Sequence, residues 1–283
     1  MTKILACIDA SAYAASVCDL AAWASKRLDL PVELLHVVQR KDALAQRHDL
    51  SGAIGLGAKT DLLEELTKLE EADARLQVER GRILLATMAE RLQADGAKAI
   101  APLHRHGGIV ETILERESDA RVIVIGKRGA SHEFASDHIG SKIERVVRAS
   151  AKPVLIASRA VTQPQSVVLA YDGSKAADRA LERVANSPLF DGLPVHVVTV
   201  GPDDDKHRKL LHNAGAALVG GRSVELTVVQ GKPEDAIDEV VGKTPDALLV
   251  MGAYGHSPLR TLIVGSTTTT LIRTVHVPVL LVR

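Results

Sequence analysis

Ala247-Leu248-Leu249-Val250-Met251-Gly252-Ala253-Tyr254-Gly255 runs an apolar strand into a glycine loop, and nine residues later Gly265-Ser266-Thr267 opens a helical stretch. The chemistry of this pattern is that of an anion cradle. Glycine lets backbone N–H groups come close to an anion. The first turn of a helix leaves N–H groups without partners and presents a positive dipole end. The hydroxyls of Ser266 and Thr267 add donors at that turn. On spacing alone the competing reading is a plain turn, because glycines are common where strands end.

Working outward, the same order of segments occurs twice. Lys3 to Asp9 (KILACID) matches Ser166 to Asp172 (SVVLAYD), each an apolar run closing on Asp and followed by small residues, Ala10-Ser11 and Gly173-Ser174. Arg121 to Gly126 (RVIVIG) matches Ala247 to Gly252 (ALLVMG), and Pro153 to Ala157 (PVLIA) matches Pro278 to Val282 (PVLLV). Strands are expected near 3–9, 31–38, 97–104, 121–126 and 153–157, and again near 166–172, 194–200, 224–230, 246–252 and 277–283. Apolar runs that alternate with helical patterns predict parallel strands covered on both faces. Five per half predict an α/β fold of two doubly wound five-stranded sheets. The halves are residues 1–158 and 165–283, with the polar, proline-containing stretch Ser158 to Gln165 between them.

The repeat is unequal. From Asp9 to Gly126 is 117 residues, and from Asp172 to Gly252 is 80, so the first half carries an insert over about 40–95. Leu62, Leu66, Leu69, Leu76, Ile83, Met88 and Leu92 recur at helical spacing, which predicts one helix over 62–94. Asp61 with Glu64 reads as a capping box, and Gly96 as the stop. The stripe predicts a long helix covering the sheet, with an interaction arm or lid as the alternative.

Composition narrows the function. Lys plus Arg equals Asp plus Glu at 35 each, which removes the electrostatic case for a nucleic-acid or membrane partner. The few scattered aromatic residues make no base-stacking platform. Two cysteines make no disulfide framework, and Cys7, in an apolar run, reads as core. The N-terminus has no signal-peptide pattern, so a cytoplasmic location is expected.

Several look-alikes are weaker. Gly52-x4-Gly57-Ala58-Lys59-Thr60 nearly spells a P-loop, but Ala58 displaces Lys59 by one position. His138-Ile139-Gly140-Ser141 is similar to an adenylate-binding signature, but follows the wrong strand. His104 and His106 share one strand face, yet two ligands without a third make a poor metal site. No nucleophile elbow or catalytic constellation for phosphoryl transfer is legible.

Gly-x2-Gly-x9-Gly-Ser after the fourth strand, with Asp172 after the first, resembles the ATP-binding subgroup of the universal stress protein family. Gly231-Lys232-Pro233 and the closing Pro278 to Arg283 add to the likeness, which covers nearly the whole chain in tandem form. The resemblance implies strand order 3-2-1-4-5 in each half, a pseudo-two-fold tandem, and antiparallel pairing of the two final strands as an intramolecular pseudo-dimer. Association of two chains into a homodimer is left open. It implies that Asp172 contacts ribose, that the backbone at Ala170 and Val200 edges adenine, and that Gly252, Gly255, Gly265, Ser266 and Thr267 hold ribose and phosphates. It also implies a divalent ion, magnesium or manganese, on the phosphates. Tyr254 departs from the pattern, since the family often has His there.

The first half departs further. Gly126-Lys127-Arg128-Gly129 is followed by ten residues before Gly140-Ser141, one more than in the second half. Asp9 and Val37 match the nucleoside positions, and Lys127 and Arg128 read either as phosphate ligands or as a solvated turn. The expected function is an ATP-binding stress-response regulatory protein in which nucleotide acts as a ligand. The alternatives are an enzyme that slowly hydrolyses ATP or transfers adenylate, and a nucleotide-free interaction protein.

Overall fold

The apolar runs become strands buried on both faces, as parallel sheets require. β1 (Lys3–Ile8) is buried along its whole length, and so are β5 (Val154–Ala157) and β10 (Val279–Val282). The structure, a computed structural model, describes residues 2–38, 56–129, 141–218, 220–253 and 266–283, without the side chains of residues 56–64, Ser141 and Ser266.

The first half runs β1, α1 (Ala14–Leu28), β2 (Val32–Val38), α2 (Leu56–Ala94), β3 (Ile100–His106), α3 (Ile109–Arg116), β4 (Ala120–Gly126), α4 (Ser141–Ala149) and β5. The second runs β6 (Ser166–Ala170), α5 (Lys175–Asn186), a 3₁₀ turn over Pro188–Phe190, β7 (Val195–Val200), α6 (Asp205–Ala217), β8 (Val224–Val229), α7 (Pro233–Lys243), β9 (Ala247–Gly252), α8 (Ser266–Thr274) and β10. Both halves have the expected order, 3-2-1-4-5. They join edge to edge into one ten-stranded sheet, β3-β2-β1-β4-β5-β10-β9-β6-β7-β8. All pairings are parallel except the central one, where Val279, Leu280 and Leu281 pair antiparallel with Ile156, Leu155 and Val154. Two apolar strands that would each be an association hazard at an open edge thus protect each other. The edges that remain, β3 and β8, are half-buried to exposed and carry Pro102, Arg105 and Glu225, residues that discourage further pairing.

Two reciprocal contacts fasten the junction. The Lys127 ammonium donates to the Val275 carbonyl at the end of α8, at 2.8 Å. Arg283 donates to the Arg148 carbonyl in the last turn of α4, at 2.7 Å. Each cation therefore meets the negative end of a helix in the other half. The Arg27 guanidinium adds a bond to the Leu189 carbonyl at 2.6 Å, and Ser16 reaches the Arg159 carbonyl in the connecting stretch at 2.8 Å.

The insert is one helix, but it starts six residues earlier than the periodicity predicts. Asp61 therefore lies inside α2 rather than at its N-cap, so the capping-box reading is corrected. Gly57 to Thr60, the closing residues of the near P-loop, are helical as well, while Gly52 lies outside the described residues. The stop is where expected: Gly96 has φ +79°, and the Ala97 N–H returns to the Leu92 carbonyl at 2.9 Å. The apolar stripe divides. Leu85 and Leu92 are buried and Met88 packs against the core, but Leu66, Leu69, Leu76 and Ile83 are exposed. Only the C-terminal part of α2 covers the sheet; the earlier turns stand clear of it. The helix also meets the sheet at Gly81, where a Cβ would fall 2.6 Å from His104 Nε2 and 2.8 Å from the His36 ring. His36, His104 and His106 stack in a row there. Burial, the two flanking imidazoles and Arg82 lower the His104 pKa. Both cysteines are buried, and burial pushes the Cys18 thiol up to about 12.

Candidate functional site

In a doubly wound sheet the connections leave in opposite directions on either side of the first strand of each unit, and a crevice opens there at the carboxyl ends of the strands. The chain has two such places, between β1 and β4 and between β6 and β9.

In the second half, Ala170 ends β6 opposite Met251, which brings Gly252 beside the turn that carries Asp172. Val198 of β7 pairs with Ala170, so Val200 lies at the same end of the sheet. Ala170, Val200 and Gly252 are half-buried, and Asp172 is exposed. The turn that presents Asp172 is tight. Asp172 Oδ1 accepts the Ser174 N–H at 2.9 Å, and Gly173 adopts φ +73°, which glycine takes without the strain a Cβ brings. Ser174 then caps α5, its hydroxyl accepting the Ala177 N–H at 3.2 Å. The helix begins three residues after Asp172. The Tyr171 hydroxyl donates to Asp178 at 2.7 Å, and burial followed by that carboxylate pushes its pKa up to about 12.

Gly252 has a packing role that the sequence does not reveal. A Cβ on it would lie 2.5 Å from the Ala176 carbonyl carbon and 2.6 Å from the Ala177 nitrogen, so its absence lets the strand end touch the first turn of α5. Ala176 and Ala177, both buried, are the partners that reading glycines alone missed. Two small residues just after a Ser cap were the available signal. Ser266 opens α8, where the first N–H groups of a helix have no partner within it, and Thr267 is half-buried in that first turn. Gly255 and Gly265 lie outside the described residues.

The first half builds the same corner differently. Asp9 Oδ1 accepts the Ser11 N–H at 3.2 Å, but Ala10 stands where the other turn has Gly173, and α1 starts only at Ala14, five residues after Asp9. The added residues bring Tyr13, buried, against the strand end: a Cβ on Gly126 would lie 2.6 Å from Tyr13 Cβ. Gly129 approaches Asp9 so closely that a Cβ there would be 2.8 Å from Oδ2. Val37 is buried near the end of β2. Ser141 opens α4, and Gly140 lies outside the described residues.

Lys127 is neither a solvated turn nor a phosphate ligand, the two readings its sequence allows. It is buried, its ammonium is committed to Val275, and burial followed by Arg128 lowers its pKa to about 8, against the pull of Asp238. The equivalent position in the second half is Ala253. Each residue's N–H bonds the strand beyond it, Lys127 to Ala157 and Ala253 to Val282.

Among the described residues, no group of three or more His, Cys, Asp or Glu side chains can hold a metal, His104 and His106 included. No described helix is long and apolar enough to cross a membrane.

The sequence model of the Universal stress protein family matches residues 1–158 and 164–283. A universal stress protein of Synechocystis is 34% identical over 287 residues, covering all of both chains. The crystal structure of a universal stress protein from Archaeoglobus fulgidus superposes with a TM-score of 0.72 at 25% identity, covering 99% of this chain and 98% of that one. A putative universal stress protein from Pseudomonas aeruginosa shares the fold at 14% identity, with a TM-score of 0.60 over 100% of this chain and 93% of the other. With two matched segments in sequence, a relative alike from end to end and one fold repeated about a central strand pair, the chain belongs to the universal stress protein family in its tandem form.

Proposed function

We propose that the chain is a stress-response regulatory protein of the cytoplasm that binds ATP in the crevice between β6 and β9. The observation that supports this most is one place in the fold: an exposed carboxylate on a glycine turn, beside a strand end after which the chain's next described element is the N-terminus of α8. Asp172 is suited to accept ribose hydroxyls, the backbone at Ala170 and Val200 to edge adenine, and the start of α8, with Ser266 and Thr267, to meet phosphate. Gly255 and Gly265 complete the proposed cradle. No cage of protein ligands is formed among the described residues, so a magnesium or manganese ion would arrive with the phosphates, which supply oxygens of the kind it prefers.

In this reading nucleotide is a ligand that shifts conformation or partner choice by binding one state better than another. The rival enzymatic reading needs a positioned base or a water-orienting group. The crevice between β1 and β4 is the weaker candidate. Its residues Asp9, Val37, Gly126, Gly129, Gly140 and Ser141 keep the pattern, but Gly129 closes on Asp9 and Tyr13 packs on Gly126.

Calorimetry with ATP and magnesium tests the proposal, followed by product analysis of the same sample. One equivalent bound per chain with negligible ADP or AMP is expected. No binding, or steady turnover, would overturn it.

A further inference from the structure

The junction of the halves contains a cavity of about 310 Å³ whose lining includes four arginines, Arg121, Arg179, Arg183 and Arg283, and one acidic side chain, Glu182. The topology explains why they meet. Ile123 of β4 pairs with Val154, and Val154 pairs with Leu281 of β10, so the start of β4 and the end of β10 lie together. Arg121 and Arg283 flank that point from opposite halves. Arg179 and Arg183, one turn apart on α5, line the same space.

This is an unusual local balance for a chain whose charges cancel overall. Arg283 donates to the Arg148 and Ser150 carbonyls. Among the described residues, Arg121, Arg179 and Arg183 have no side-chain hydrogen bond or salt bridge, and Arg179 Nε is buried without a partner. Burial and the nearby Arg121 both disfavour the charged form of Arg183, and Glu182 only partly offsets them. Like charges gathered in a recess cost stability unless an anion joins them, and a buried donor left unpaired costs more. The guanidinium fork matches phosphate oxygens two at a time, which a lysine cannot do. The cavity is at the small end of the range for ligand pockets.

We infer that this cavity is an anion site for a small, multiply charged phosphate compound, held between Arg121 of the first half and Arg179 and Arg183 of the second. Such a ligand would neutralise the cluster and tie the two halves together at their shared strand pair. The site uses other side chains than the proposed nucleotide crevice, although Val282 in its lining pairs with Gly252 of that crevice.

Inorganic pyrophosphate is the probe. In a titration at constant ionic strength, set with sodium chloride, it should bind one equivalent at the cavity and raise the melting temperature. Arg179→Gln/Arg183→Gln should weaken that binding by about tenfold or more, since each bond to a charged acceptor is worth roughly that factor. Arg121→Gln should weaken it too, although it lies in the other half. Without pyrophosphate these variants should melt at or above the wild-type temperature, because each removes a like-charge repulsion, and this checks that they fold. Equal pyrophosphate affinity in the wild type and the double variant would overturn the inference. So would a wild type that responds no more to pyrophosphate than to chloride.

Discussion

The corner between β1 and β4 and the corner between β6 and β9 occupy equivalent places in two copies of one fold, yet their residues have separate tasks. In the first, glycine-loop residues are drawn into the body of the protein: Tyr13 packs on Gly126, Gly129 closes on Asp9, and Lys127 crosses to the other half. In the second, Asp172 stays exposed on a glycine turn, and Ala253, at the position of Lys127, makes no side-chain tether. After duplication, one corner can be given to holding the halves together while the other keeps the arrangement suited to a ligand. A glycine pattern shared by both says little about which is which, because glycine is required wherever two backbones touch.

The sharpest way to break this comparison is at the two strand-end glycines. A valine at Gly252 would drive its Cβ into the backbone of Ala176 and Ala177, which cannot swing aside. We expect Gly252→Val to cost about 3 kcal/mol or more, and Gly126→Val, which meets the Tyr13 side chain, about 1–3 kcal/mol. Urea unfolding of both variants measures this. Gly252→Val is therefore a test of packing, and it cannot serve as a clean test of phosphate binding. Equal stability of wild type and Gly252→Val would mean the corner is looser than the structure shows.

Nucleotide binding is better tested at the carboxylates. Asp172→Ala should weaken ATP by about tenfold or more, the worth of a hydrogen bond to a charged group, while Asp9→Ala should leave the affinity within about twofold. Calorimetry on the pair gives the ratio. The reverse ratio would assign the ligand to the first half.

Lys127 sharpens the contrast through pH. Its folded-state pKa is lowered from 10.5 to about 8, so between those values the unfolded chain binds the extra proton, and raising the pH favours the folded state. From pH 8 to 10.5 the wild type should gain stability relative to Lys127→Met, on the order of 1–2 kcal/mol once solvent screening is allowed for. Melting curves at matched ionic strength would show it, and parallel curves for the two proteins would contradict the buried position.

The smallest effect is expected under α2. Because the His104 pKa is lowered in the folded state, stability from that corner is present above the ordinary histidine value and is lost as the pH falls through it. Amide protection in α2 near Gly81, corrected for the intrinsic pH dependence of exchange, should therefore fall between pH 7 and 5.5, and His104→Gln should flatten that dependence. Unchanged protection would remove His36, His104 and His106 from any role in holding α2.

Reading the chain without its structure went far along the strands. Their identity and succession along the chain follow from apolar runs of strand length, repeated in the same sequence, because a strand buried on both faces has no polar positions to spare. Their order in the sheet and the pairing of the two final strands came from the family resemblance. Asp172 at a strand end, the start of α8 and the stop at Gly96 were legible for the same local reason: a turn, a cap and a breaker each depend on a few neighbouring residues. Periodicity also found α2, but not how far it extends beyond the sheet. A repeat of apolar residues records which side of a helix is apolar, and exposed Leu66, Leu69 and Leu76 repeat like buried Leu92.

What tertiary structure alone decided are contacts between residues far apart in the chain. Lys127 and Val275 are separated by 148 residues, and nothing near Lys127 names its partner. Gly252 looks like a phosphate glycine until Ala176 is placed against it, and four arginines spread from position 121 to 283 become one cavity only when β5 and β10 pair antiparallel. Local pattern fixes which elements form, since each depends on its own residues. Which charges are buried together, and which glycines touch backbone, depends on how those elements pack, and packing is a property of the whole chain.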